Sequence, residues 1–251
     1  MSAVYPSLKT RRVVVTGGGS GIGAALVEAF VRQGAQVAFL DVLESESQAL
    51  VERLAGAGPA PRFYPCDLRD LAAIKTTFAR IAEEIGPVEV LVNNAASDDR
   101  HTLEQVTPDT WDELINVNLR HHIFCAQEAA PAMKAAGKGV IINFGSIAWH
   151  LGLPNMVIYE TAKAGIEGFT RALARELGPD GIRVACVVPG NVKTPRQMRW
   201  YTPEEEQEIV TAQCLKSRIE PSDVAALVLF LASDDARMCT GHEYWIDGGW
   251  C

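Results

Sequence analysis

Short β-branched runs alternate along this chain with longer stretches of helical character. Val13-Val14-Val15 leads into a glycine-rich turn, and a helical stretch follows from Ile22 to Gln33. Gln36 to Asp41 reads as a second strand, Glu44 to Ala55 as a helix, and Arg62 to Cys66 as a third strand. Leu71 to Ile85 is amphipathic and stops at Gly86-Pro87, a helix-end signal. The near-continuous apolar run from Val88 to Val92 predicts a strand covered on both faces. Pro108 to Ala136 reads as one long helical region, broken or bent near Pro131. A strand over Val140 to Phe144, a helix over Ile158 to Leu177 and a strand over Ile182 to Val188 follow. From Asn191 to Glu220 the pattern weakens and turns polar, with the acidic run Glu204-Glu205-Glu206. A helix from Ser222 to Leu231 and a short strand around Tyr244-Trp245-Ile246 complete the alternation.

Strands separated by helices pair in parallel through right-handed crossovers, so the expected fold is α/β, a doubly wound parallel sheet of about seven strands with helices on both faces. No repeat, low-complexity tract or linker divides the 251 residues, and residues 1–251 read as a single domain.

Composition narrows the partners. Hydrophobic residues make up 48% and charged residues 22%, ordinary for a globular protein with a sizeable core. A net charge of −8 without any Lys/Arg cluster argues against nucleic acid. No eighteen-residue apolar stretch and no signal-peptide core occur, so no membrane partner and a cytoplasmic location are expected. Six scattered cysteines without a Cys-x-x-Cys pair, and histidines without metal spacing, predict free thiols and no metal site.

The chemistry starts at Thr16-Gly17-Gly18-Gly19-Ser20-Gly21-Ile22-Gly23, which joins the first strand to the first helix. Glycines there allow a tight turn and close approach of a pyrophosphate, while free amides at the helix start face the negative charge. Asp41 ends the second strand, where a carboxylate accepts hydrogen bonds from adenosine ribose hydroxyls and repels a 2′-phosphate, favouring NAD. Asp67, beside Leu68, is placed either to meet the adenine amino group or to cap the next helix. Asn93-Asn94-Ala95-Ala96 ends the fourth strand at the sheet edge where open parallel sheets bind ligands.

Tyr159 and Lys163 fall one helical turn apart, on one face. A phenol near pKa 10 is a poor base at neutral pH, and a neighbouring ammonium is expected to lower that value. Ser146, thirteen residues earlier and just past a strand, offers a hydroxyl to the reacting oxygen. Asn118 is an amide inside an otherwise apolar helix, which by itself reads equally as a satisfied core residue.

With these motifs in place, the whole chain resembles the short-chain dehydrogenase/reductase family. Thr16 to Gly23 matches its cofactor turn, Asn93-Asn94-Ala95 its fourth-strand motif, and Ser146, Tyr159 and Lys163 its catalytic set. Asn118 falls at its fourth catalytic position, and Pro189-Gly190-Asn191-Val192-Lys193-Thr194 at its nicotinamide-side loop. Ala96 departs from the family's usual glycine. The resemblance implies a Rossmann-like fold and a homotetramer. It implies NAD held by Gly17, Ser20, Gly21, Ile22, Gly23, Asp41, Asp67, Leu68, Asn94, Ala95, Tyr159, Lys163, Pro189, Gly190, Val192 and Thr194. Tyr159 would be the general base, with Lys163 lowering its pKa and holding the nicotinamide ribose. Ser146 would orient the substrate hydroxyl, and Asn118 would hold a water linking Lys163 to solvent.

The substrate loops Ser97 to His101, Ser146 to Asn155 and Asn191 to Tyr201 mix aromatic and polar side chains. They supply Asp98, Asp99, Arg100, Trp149, His150, Asn155, Asn191, Arg196, Trp200 and Tyr201, a set suited to a small polyhydroxylated ligand. With Ser146 and Tyr159, the expected sugar contacts are Trp149, His150, Asn155 and Asn191. Stretches outside the catalytic motifs resemble the sugar-oxidising branch of the family. That implies oxidation of the anomeric hydroxyl of an aldopentose, D-xylose first and L-arabinose next, to the lactone. A ketone or acyl reductase and a non-catalytic dinucleotide sensor stand as the alternatives.

Overall fold

The computed structural model describes residues 3–199 and 201–251. Seven strands, β1 (Arg12–Thr16), β2 (Gln36–Asp41), β3 (Arg62–Pro65), β4 (Val90–Asn93), β5 (Gly139–Phe144), β6 (Ile182–Pro189) and β7 (Glu243–Ile246), pair in the order β3-β2-β1-β4-β5-β6-β7. Every pairing is parallel. The doubly wound sheet expected from the alternation is present.

The β-branched runs explain why this sheet is buried on both sides. Alternate residues of a strand point to opposite faces. Val13 and Val15 of β1 enter a core beneath α1 (Gly21–Arg32) and α9 (Pro221–Ala232), with Leu26, Phe30, Val224 and Val228. Val14 between them enters a second core beneath α3 (Leu71–Glu84), α5 (His121–Ala136) and α7 (Val157–Leu177), with Phe78, Ala129 and Leu177. Strand β4 repeats the division, Val90 and Val92 to one side and Leu91 to the other. Each such side chain stabilises by about 1.5–3 kcal/mol when fully buried, and a continuous apolar run satisfies both faces at once.

Two expectations are corrected. The helical region from Pro108 is not interrupted at Pro131, which lies inside α5. Its irregularity falls earlier, where α4 (Pro108–Ile115) passes through a π-helical turn over Asn116–Arg120. The polar region from Asn191 to Glu220 contains α8 (Pro203–Ala212), begun by Thr202, whose hydroxyl accepts from the Glu205 amide at 3.3 Å while the Glu205 carboxylate receives the Thr202 amide. The remaining helices are α2 (Glu44–Arg53) and the single turn α6 (Ala148–Leu151). No helix is long and apolar enough to cross a membrane, among the described residues. All six cysteines are free thiols.

Strand order reverses between β1 and β4, so helices leave their carboxyl ends to opposite faces and a crevice opens there. Thr16, Asn93, Phe144 and Pro189 end the four strands that border it.

Candidate active site

The glycine turn is braced from below. Asn94 donates through Nδ2 to the carbonyls of Thr16 and Gly17, both at 3.0 Å, and its amide donates to the Thr16 hydroxyl at 3.0 Å. Gly17 adopts φ +65°, and a Cβ there would stand 2.7 Å from the Ala95 Cα. A Cβ on Gly23 would stand 1.8 Å from the Gly17 carbonyl oxygen. Ser20 precedes α1 without a side-chain cap, so the first-turn amides keep their hydrogen-bonding capacity. A backbone cradle with free helix-start amides fits a pyrophosphate.

Gly23→Ala is therefore expected to destabilise the fold by about 1–3 kcal/mol and to abolish dinucleotide binding. Thermal unfolding and a titration of NADH fluorescence read both effects; a variant with wild-type melting and affinity would remove this glycine from the cradle.

Asp41 lies buried at the end of β2, beside the turn. Its carboxylate receives the Gly19 amide at 2.7 Å and the Leu43 amide at 3.0 Å, leaving lone pairs for ribose hydroxyls. Asp67 does not cap α3; Asp70 does, accepting from the Ala72 and Ala73 amides. Instead Asp67 is gripped by Arg69 through two guanidinium nitrogens, and that pairing holds its carboxyl below the usual range. Leu68 is buried next to it.

Helix α7 carries the candidate reacting groups because polar residues recur on one face of it: Tyr159, Lys163, Glu167 and Thr170. Lys163 is 2% exposed and donates to the Phe144 carbonyl at 2.7 Å. Its ammonium stands 5.4 Å from the centre of the Tyr159 ring. Burial lowers it from 10.5 to about 8. Ser146 follows β5, accepts from the Ala148 amide at 3.1 Å, and its hydroxyl favours the Tyr159 phenolate.

The expected acidification of the phenol is not found in the chain alone. Burial pushes Tyr159 up to about 12, with Ser146 opposing, and the charges bearing on it are Asp98, Arg196 and Arg100. The physical reason is that the Lys163 ammonium faces the ring and is directed at a carbonyl. Depressing this phenol requires further positive charge in the cleft.

Asn118 sits in the π-helical turn, fully buried. Its amide clamps the backbone of Ser97, accepting from the Ser97 amide and donating to the Ser97 carbonyl, both at 2.8 Å. The side chain is thus committed to the loop after β4. π-turns leave main-chain groups irregularly spaced and recur at functional sites. Behind the site, Asn93 donates to Asn143 at 3.0 Å, Asn143 to Thr170 at 3.0 Å, and the His122 ring meets Asn143 at 3.2 Å. Burial holds His122 well below its ordinary value. None of His122, Asn143 and Thr170 stood out in the sequence; Asn143 is a polar residue inside an otherwise apolar strand, the one signal available.

Ser146, Tyr159 and Lys163 open into a cavity of about 200 Å³. Ile22, Asn94, Ala96, Pro189, Gly190, Val192 and Thr194 border it, which brings the turn, the β4 end and the β6 loop to one place. Of the expected sugar contacts, Asn191 lines the cavity, with its amide fixed by Tyr201 at 2.9 Å and Arg218 at 2.8 Å. Trp149, His150 and Asn155 do not line it. Trp149 and His150 both bond the Glu167 carboxylate, at 2.9 and 3.1 Å, and His150 stacks between Trp149 and Trp245. Asn155 takes φ +64° and offers its carbonyl to the His101 amide. Trp200 lies outside the described residues. Leu151 and Leu153, inside the expected loop Ser146 to Asn155, supply apolar lining, as do Met156 and Trp250, which sequence reasoning missed. Among the described residues, no three His, Cys, Asp or Glu side chains gather as metal ligands.

A family model described as enoyl-(acyl carrier protein) reductase matches residues 17–251. D-xylose 1-dehydrogenase from Caulobacter vibrioides (strain NA1000 / CB15N) is 68% identical over 249 residues, 99% of this chain and 99% of that protein. This chain belongs to the short-chain dehydrogenase/reductase family. It is accordingly an oxidoreductase. A Rhizobium meliloti (strain 1021) protein named probable galactose dehydrogenase GalD is 50% identical, covering 99% of this chain and 98% of its own. A crystal structure of a candidate short-chain alcohol dehydrogenase from Sinorhizobium meliloti 1021 superposes with a TM-score of 0.92 at 31% identity, over 98% of both chains.

Proposed function

We propose that this enzyme oxidises the anomeric hydroxyl of an aldopentose, D-xylose first, to the sugar lactone with NAD. The 68% identity to D-xylose 1-dehydrogenase across 99% of both chains carries the substrate. When bound, NAD supplies the hydride acceptor and a positively charged ring. The residues of this chain do the rest. Ser146 and Tyr159 meet the anomeric hydroxyl, and Tyr159 takes its proton as the C1–H bond yields a hydride and the C1–O bond becomes a carbonyl. Lys163 would hold the nicotinamide ribose, its ammonium 5.4 Å from the centre of the Tyr159 ring would favour the phenolate, and the proton leaves to solvent. Atoms balance as sugar plus NAD⁺ giving lactone, NADH and H⁺. The exposed apolar residues Trp111, Ile123 and Val157 on α4, α5 and α7 fit helix faces covered in a homotetramer.

The experiment is an NADH-formation screen across D-xylose, L-arabinose, D-galactose, a cyclic ketone and an acyl ketone with NADH. Fast oxidation of D-xylose supports the reading. Ketone reduction without aldose oxidation replaces it with the reductase alternative.

NAD rather than NADP follows from Asp41, whose buried carboxylate would confront a 2′-phosphate. Asp41→Ala is expected to narrow the ratio of kcat/KM for NAD over NADP by about 10-fold or more, the scale of one charge-assisted contact. An unchanged ratio would take cofactor choice away from this residue.

A further inference from the structure

The proton and hydride chemistry leaves part of the cavity unused, and that part is built with care. Trp250 lines it, placed by a sequence of backbone contacts. Gly248 and Gly249, at φ +67° and +77°, turn the chain back after β7. The buried Asp247 carboxylate then receives the amides of Gly249, Trp250 and Cys251 at 2.9, 3.0 and 2.8 Å. The Cys214 and Leu215 amides donate to the Gly249 and Gly248 carbonyls at 3.2 and 3.0 Å. The indole, with Leu151, packs against Ile147, Ile166, Cys186 and Val188. The backbone that carries this large aromatic is thereby held in place against an apolar cluster, which lowers the entropic cost to any ligand.

A separate cluster builds a polar wall. Asp98 borders the same cavity. Its two oxygens receive Arg196 at 2.9 Å and Gln197 at 2.6 Å. Each carboxylate oxygen has two acceptor sites, so acceptor capacity remains after both partners are served.

A pyranose presents C–H faces and a hydroxyl edge, and it needs an aromatic plane for the first and fixed acceptors for the second. We propose that Trp250 is the stacking surface that selects the sugar ring and that Asp98 is the acceptor that orients its hydroxyls. The assignment rests on the sugar-oxidation reading above and goes beyond it by naming the selecting residues.

Steady-state kinetics with D-xylose test it, with NADH affinity measured in parallel by fluorescence. Trp250→Ala is expected to raise KM about 10-fold or more while kcat falls less than about 3-fold, the scale of one aromatic contact. Trp250→Phe, which keeps a ring in the cavity, is expected to stay within about 3-fold of wild type in KM. Asp98→Asn, which keeps shape and loses charge, is expected to raise KM about 5-fold. NADH affinity is expected to hold in all three. A Trp250→Ala KM within 2-fold of wild type overturns the assignment, and so does an equal loss in NADH affinity. Wild-type enzyme that oxidises no aldose overturns the sugar reading itself, whereas wild-type oxidation of D-xylose with unaltered variants overturns only the roles of Trp250 and Asp98.

Discussion

Tyr159→Phe is expected to cut kcat by about 10²–10⁴-fold and to leave NADH affinity at its wild-type value. The ring remains, so its packing and the Lys163 ammonium 5.4 Å from its centre are kept. Only the hydroxyl goes, and Ser146 retains its bond from the Ala148 amide. Binding energy and proton transfer therefore separate in this one variant. Rapid-mixing measurement of NADH formation, beside a fluorescence titration, reads each. Turnover within 10-fold of wild type would remove the phenol from the proton's path.

Lys163→Ala is expected to lower kcat/KM at neutral pH by about 10–10³-fold and to move the pH profile of sugar oxidation upward by about 1–3 units. The sign follows from the charge states. With Tyr159 as the proposed base, oxidation needs the phenol deprotonated, so the rate climbs with pH and levels off above the phenol's pKa in the loaded enzyme. With burial the largest cause, that pKa is pushed up to about 12 in the chain alone and Lys163 is lowered to about 8. Each buried group disfavours its own charge, and a phenolate beside an ammonium relieves both. Removing the ammonium leaves the phenolate with less compensation, and the climb extends to higher pH. A profile of unchanged position would place the compensating charge elsewhere in the cleft, with Arg196 and Arg100 the residues to vary next.

The sheet was legible because its signal is local and repeated. Val13-Val14-Val15 and Val90-Leu91-Val92 have no polar residue to mark an outward face, and a strand without an outward face belongs in the middle of an α/β sandwich. Helix α8 was less so. Its residues between Pro203 and Ala212 bury only Ile209, so the apolar stripe that marks a helix is nearly absent, although Thr202-Pro203-Glu204-Glu205 carries a start signal that reads on its own. The bend assigned to Pro131 illustrates the limit of single-residue rules, since the helix runs on through it while the break in regularity sits at Asn116–Arg120.

The candidate reacting groups are short-range patterns for a different reason. Tyr159 and Lys163 are joined by one helical turn, and a glycine turn between strand and helix is also a short-range pattern. The rest of the cavity lining was not legible in that way. Trp149 and His150 stand next to Ser146 in sequence, yet both turn to Glu167, seventeen or more residues away on α7. Trp250 reaches the cavity through a carboxylate three residues before it and a carbonyl contact to Cys214. Pairings of that range depend on how the loops fold over the crevice, and local spacing holds no trace of them.

The Asn94 cross-brace has a thermodynamic consequence. One side chain rivets the carboxyl ends of neighbouring strands to each other at the glycine turn, the proposed seat of the nucleotide's phosphates. The floor of the crevice is consequently rigid before any ligand arrives. Ordering entropy is lost during folding, once, and is not charged again at each association. Nucleotide affinity in this enzyme then measures contacts made, and successive turnovers begin from a surface that needs no rebuilding.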